Sequence, residues 1–168
     1  MIIRKKIDEK FEKYPTQRKV VYNLLTLGLK IKNNKIFCGS IEISDSKFAR
    51  AIGIDRKVVL STVKALKKDP EFEKLFSNLI PICSLQEAAP LIGGGVLEII
   101  PTDPSKPGII ADVSSVLAKE KISIRQAIGN DYALQKEPRL YIITEEPVPM
   151  DLLKKIKKIK GIKGILIY

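Results

Sequence analysis

Apolar positions in the first half of the chain recur mostly at helical spacing and are broken at short intervals by turn signals. Residues 3–13 form a charged helical stretch that Tyr14-Pro15-Thr16 interrupts. Val20, Val21, Leu24, Leu25 and Leu27 then supply one apolar face, which predicts a helix from Thr16 to Lys30. Lys32-Asn33-Asn34-Lys35 reads as a turn, and Lys35 to Ile43 as extended chain carrying Ile36, Phe37, Ile41 and Ile43. Ser44 is placed to cap a short helix over Asp45 to Ala51, which Gly53 ends. Asp55 caps the next helix, which runs to Lys68. Asp69-Pro70-Glu71 is both a stop and a new start, with aspartate at the cap and proline just inside, and opens a short helix to Phe76.

The pattern changes after that point. Ser84-x-x-Glu87 has the form of a capping box for a turn of helix ending near Ile92. Gly93-Gly94-Gly95 is the clearest boundary signal. The chain thus divides into an N-terminal domain over residues 1–82, a linker over 83–95 and a C-terminal domain over 96–168. Within the last, Val96 to Pro101 is a strand and Ile109 to Glu120 a helix with a buried stripe of Ile110, Val113, Val116 and Leu117. Ile122 to Ile128 alternates apolar and polar residues as a strand. Arg139 to Thr144 is another strand, Pro149 to Lys160 a helix, and Gly161 to Tyr168 holds a last strand. The order β-α-β-β-α-β is the split βαβ arrangement of a ferredoxin-like sandwich. The fold class expected is α+β.

Charge and chemistry sharpen this picture. The net charge is +11 and it is uneven. Residues 1–90 carry 18 Lys and Arg against 10 Asp and Glu, whereas residues 91–168 carry 12 against 9. A basic first domain suits a phosphate-bearing partner. There is no histidine, so a His-dependent triad or general acid/base is impossible. Cys38 and Cys83 follow no metal-ligand spacing, and no cofactor fingerprint is present; the glycine run lacks the Gly-Lys-Ser/Thr of a phosphate loop. The expectation is a protein that is not an enzyme and carries no cofactor. No apolar run reaches the roughly 18 residues of a membrane span, and the charged N-terminus has no signal-type core, so no membrane partner and a cytoplasmic location are expected. Asp151 to Lys160 is basic and amphipathic, which also fits a helix packed on a sheet.

The stretch from Asp45 to Lys64 resembles the helix-turn-helix of transcription regulators. Ala49 is the small residue at the helix crossing and Gly53 the turn residue, with Phe48, Ile52, Ile54, Val59 and Val63 between the helices. Thr62 stands where an aliphatic residue is more usual. The resemblance makes the second helix a recognition helix. Lys47, Arg56, Lys57, Ser61, Lys64, Lys67 and Lys68 then become the candidate contacts to double-stranded DNA, Arg56 and Lys57 foremost. A winged variant is expected, with Leu79 to Ser84 as the candidate wing.

Residues 96–168 resemble an ACT domain, a ligand-sensing module of amino-acid metabolism. The likeness rests on Ser105-Lys-Pro-Gly108, the apolar helix from Ile109 to Ala118, and Lys121-Ile-Ser-Ile124. Ser105 and Ser123 stand where that family has Asp and Asn, and Asp103 lies two residues before the first of these. The resemblance implies an amino-acid effector bound between paired domains, near Asp103, Ser105, Pro107, Gly108, Ile109, Ser123, Ile124 and Gln126. Its carboxylate would meet the free N–H groups at the helix start. A domain that only oligomerises is the other reading. The pairing of the two halves is similar to archaeal predicted regulators of amino-acid metabolism. It implies a transcription regulator, homodimeric through its ACT half. The alternative is a ligand-sensing adaptor that acts on a partner enzyme without touching DNA.

Overall fold

The structure, a computed structural model, describes residues 2–132, 134–135 and 137–168. The chain forms two compact units that divide between Cys83 and Ser84.

The first unit is mainly helical: α1 (Ile2–Lys10), α2 (Pro15–Thr26), α3 (Asp45–Ala51), α4 (Arg56–Lys67) and α5 (Pro70–Ser77). Between α2 and α3 lies a three-stranded antiparallel sheet of β1 (Lys30–Lys32), β2 (Lys35–Cys38) and β3 (Ile41–Ile43). Helix α2 therefore ends before Lys30, the helix end that periodicity predicts, and Lys30 begins a strand. Asn33 and Asn34 both take positive φ, which suits the two-residue hairpin joining β1 to β2. Ile31, Ile36 and Ile43 are cross-strand neighbours, and this row meets the helical core. The candidate wing at Leu79 to Ser84 is not a strand: this stretch is irregular, with Ile80 and Ile82 exposed. The unit's hairpins precede α3 and do not follow α4.

The core joins Ile7 and Phe11 to Val20, Val21 and Leu24 of α2, Phe48 of α3, Val59, Val63 and Leu66 of α4, and Phe72 and Phe76 of α5. Phe72 meets Phe11 edge-on, with ring centroids 6.5 Å apart. Asp69 caps α5 by accepting from the Glu71 and Phe72 N–H groups and pairs with Lys10 at 2.6 Å. The Lys10 bond and these N–H groups hold the Asp69 carboxyl below its ordinary range.

A depressed carboxyl pKa stabilises the fold above the unfolded value and ceases to do so as pH falls through the folded one. Asp69→Ala is therefore expected to lower stability by about 1 kcal/mol at pH 7, the usual loss for a helix cap. In thermal melts the gap between wild type and variant should close below about pH 4, where an unfolded aspartate protonates. A gap independent of pH would assign the effect to packing alone.

The second unit carries a four-stranded antiparallel sheet in the order β5-β6-β4-β7, built from β4 (Gly95–Pro101), β5 (Ile124–Gly129), β6 (Leu140–Thr144) and β7 (Ile162–Ile167). Helices α6 (Ile109–Lys119) and α7 (Met150–Lys157) pack on one face. There Leu97, Ile99 and Ile142 meet Val113, Leu117, Leu152 and Ile156. The inward row of α6 is Ile109, Val113 and Leu117, at spacing four, and Ile110 is exposed rather than part of the buried stripe.

Residues 84–95 fold with this unit and are not a linker. A 3₁₀ turn over Ala89–Ile92 leads into the strand, and Leu85 and Ala89 pack on Val96, Tyr141 and Ile143, on the sheet face away from the helices. The glycines bring this segment close to β6. A Cβ on Gly94 would stand 2.8 Å from the Thr144 carbonyl, and one on Gly95 would stand 2.6 Å from its hydroxyl. The run that looks like a hinge in sequence is a tight seam. No helix among the described residues is long and apolar enough to cross a membrane.

Candidate nucleic-acid interface and ligand cleft

Helices α3 and α4 are joined through Ile52-Gly53-Ile54. Gly53 has φ +64°, and the Ile54 N–H donates to the Ala49 carbonyl at 2.9 Å, closing the end of α3. Asp55 caps α4 by accepting from the Lys57 N–H at 2.7 Å. Ala49 is buried at the crossing, as the sequence suggests. Thr62 is fully buried, and its hydroxyl donates to the Val58 carbonyl at 2.7 Å, so the departure from an aliphatic residue leaves no orphaned polar group.

The buried row of α4 is Val59, Thr62, Val63 and Leu66. Lys57, Ser61, Lys64 and Lys68 occupy the opposite face, at spacings of four, three and four, and all are exposed. Arg56 is exposed at the helix start, and Lys47 is exposed on α3. Lys67 is half-buried on a flank, beside a hollow of about 360 Å³ that Lys32 and Lys74 also line. Ser61 is less available than its position suggests, because its hydroxyl donates to the Val58 carbonyl and accepts from Gln17 of α2 at 3.0 Å. Gln17 thus joins this surface through a contact between distant residues that no local pattern signals.

The charges on α4 differ from those on α1. Lys6 and Lys10 pair with Glu71 and Asp69, and Arg4 and Lys5 with acids of α1 itself. Lys47, Arg56, Lys57, Lys64, Lys67 and Lys68 have no ion-pair partner among the described residues. The exposed face of α4 is therefore an uncompensated positive surface on a closed apolar core.

In the second unit a cleft of about 210 Å³ opens at the start of α6. Pro104, Lys106, Pro107, Gly108, Ile109 and Ile110 form one wall. Gly129, Asn130, Pro138, Arg139 and Leu140 line it from β5, β6 and their connection. Gly108 has φ +108° and precedes the helix without a side-chain cap, so the first N–H groups of α6 stand at the cleft.

The structure brings Pro107, Gly108 and Ile109 to this cleft and places the other sequence candidates elsewhere. The Asp103 carboxylate accepts from the Ser105 hydroxyl at 2.7 Å and the Ser105 N–H at 3.0 Å. Those bonds hold its carboxyl below the ordinary range. Ser123 is exposed, and its carbonyl accepts from the Glu145 N–H. Ile124 packs in the core beneath the helices. Gln126 pairs in register with Ile143, on the other face, and its side-chain oxygen accepts from the Leu85 N–H at 3.0 Å. A register shift between Ile124 and Gln126 separates them, so the alternation from Ile122 to Ile128 does not share one face.

Lys106, Asn130 and Arg139 are the polar residues along the cleft that the sequence left unmarked. The Arg139 backbone N–H donates to the Asn130 side-chain oxygen at 3.0 Å. Its guanidinium lies 3.3 Å from Glu98 and 3.1 Å from Glu137. Glu98 is buried and also accepts from the Tyr168 hydroxyl at 2.8 Å, a bond that raises the Tyr168 pKa. No cluster of metal-ligating side chains occurs among the described residues.

No family model matches the chain. No curated protein matches it either. Among solved structures it is similar to the ACT domain from a GTP pyrophosphokinase of Chlorobium tepidum, at 17% identity and TM-score 0.34, covering 45% of this chain and 97% of that one. The leucine response regulatory protein of Mycobacterium tuberculosis is similar at 17% identity and TM-score 0.29, covering 91% of this chain and 90% of that one. An AsnC family transcriptional regulator from Agrobacterium tumefaciens is similar at 9% identity and TM-score 0.29, covering 91% and 86%. At these identities and scores the likenesses decide nothing about activity.

Proposed function

We propose that this chain is a DNA-binding transcription regulator of amino-acid metabolism: a helix-turn-helix in the first unit, and a ferredoxin-like second unit that pairs with a second copy and holds an amino-acid effector. The observation that carries this reading is the face of α4, where Lys57, Lys64 and Lys68 are exposed and have no acidic partner. A helix that presents unpaired cations opposite a satisfied core suits phosphate and base contacts in a major groove. Arg56 and Lys57, at the helix start, are assigned to base edges or the nearest phosphates; Lys64 and Lys68 are assigned to the backbone. Pairing of two chains is part of the proposal, because one helix-turn-helix buries little surface and binds specifically when doubled on a two-fold operator.

Fluorescence anisotropy with promoter-derived duplex DNA tests this directly. The logarithm of the binding constant should fall linearly with the logarithm of salt, with a slope of about −0.9 per phosphate neutralised. Undetectable binding at low salt would end the DNA reading and leave an acidic protein surface as the partner of the α4 face.

A further inference from the structure

We infer that the hollow beside the C-terminal end of α4 seats a phosphate of the DNA backbone, and that the β1–β2 hairpin is a second DNA-contacting element. The inference rests on the DNA-binding reading and extends the contact surface beyond the helix-turn-helix.

The hollow, of about 360 Å³, lies between the tip of that hairpin, the last turn of α4 and helix α5. Its floor is apolar and closed, from Ile31, Leu66 and Phe76, all buried. Its rim is cationic. Lys32 comes from β1, Lys67 from α4 and Lys74 from α5, brought together from separate parts of the chain. None of the three has an ion-pair partner among the described residues. Glu73 is the one carboxylate on the lining, so positive charge stays in excess there. Like charges gathered on one rim repel, and an anion between them relieves that cost.

The fold holds this rim in place. Ile31 anchors β1 in the core, and β1 packs against α5. Asn33 and Asn34, both at positive φ, close the hairpin directly after Lys32. Lys67 lies three residues beyond Lys64, turned about 60° from it around the helix. It therefore carries the exposed cationic face of α4 round to the hollow. Ser61, on the other side of that face, is tied to Gln17 of α2. A helix lying in a major groove has a sugar-phosphate strand along each side. The strand on the Lys67 side meets the hollow, where ammonium groups from three elements give one phosphate charge-assisted bonds.

Fluorescence anisotropy of the full chain with promoter-derived duplex DNA, titrated with salt, tests the inference. Lys32 and Lys74 are exposed, so the double variant Lys32→Ala with Lys74→Ala should keep the wild-type melting temperature. It should bind about tenfold more weakly, with a logarithmic salt slope shallower by about 2. Lys157→Ala with Lys158→Ala removes the same charge from the second unit and should change neither by as much. Glu73→Gln, at an exposed position, should tighten binding by about threefold, a gain that damage to the fold does not produce. If the Lys32 and Lys74 variant matches the Lys157 and Lys158 control in affinity and slope, the inference is overturned while the DNA reading stands. A Glu73→Gln variant no tighter than wild type overturns it equally. Undetectable binding by the wild type at low salt ends the DNA reading and this inference with it.

Discussion

Replacing Arg56, Lys57 and Lys64 together by alanine is expected to weaken duplex DNA binding by about a hundredfold or more and to flatten its salt dependence. Each phosphate contact removed takes close to one unit from the logarithmic salt slope, so the three together should take about 2–3. The side chains are exposed and unpaired, so the melting temperature should hold. Net charge alone would also reduce affinity, so a matched control is needed. Lys157, Lys158 and Lys160 are exposed in or just beyond α7, and their replacement removes the same charge from the second unit. That control should bind DNA within a few-fold of wild type. Equal losses in the two variants would mean that overall charge, and not the α4 face, governs binding.

The parts of the fold that were legible in sequence are those set by local chemistry. Helices α3, α4 and α5 start at Ser44, Asp55 and Asp69, and the last two caps bond the backbone as their residue types predict. The apolar spacing of α4 puts Val59, Val63 and Leu66 inward, which leaves the lysines outward. The sheet before α3 was only half legible. Strand β1 is Lys-Ile-Lys, too short for period two to separate it from the tail of α2. The signal that was available is Gly28, which takes φ +62° after α2, while the Leu29 N–H closes the helix end on the Leu24 carbonyl.

The cleft at the start of α6 was legible on one wall alone. Pro107-Gly108 announces the turn into α6, and its N–H groups follow from helix geometry. The opposite wall comes from Asn130, Pro138 and Arg139, placed there by antiparallel pairing of β5 with β6 rather than by any local motif. The shift between Ile124 and Gln126 was equally invisible, because inserting one residue into a strand changes neither composition nor alternation. Glu98 sits in an apolar strand and its partners, Arg139 and Tyr168, pair to it only through the sheet.

That buried group gives the largest expected stability effect in the second unit. Arg139→Met should destabilise it by about 2–4 kcal/mol, below the top of the range for a broken buried pair because the guanidinium is partly solvated. The side chain of Glu98 is 9% exposed and that of Arg139 22%, so the two single substitutions are unequal. Without Arg139, Glu98 is left inside the sheet's outer layer with the Tyr168 hydroxyl and no cation. Without the Glu98 charge, as in Glu98→Gln, Arg139 still has Glu137 and water, and Tyr168 still has an oxygen to donate to. Glu98→Gln should therefore lose less than Arg139→Met. The double variant Glu98→Leu with Arg139→Met removes both charges and replaces them by apolar bulk, and should recover much of the stability lost in Arg139→Met. Because the chain has two units, a global melt mixes two transitions. Native-state hydrogen exchange at β4 and β6 amides reads the second unit by itself. A double variant as unstable as the sum of Arg139→Met and Glu98→Leu would show that the two charges act independently and that the ion pair does not organise this face of the sheet.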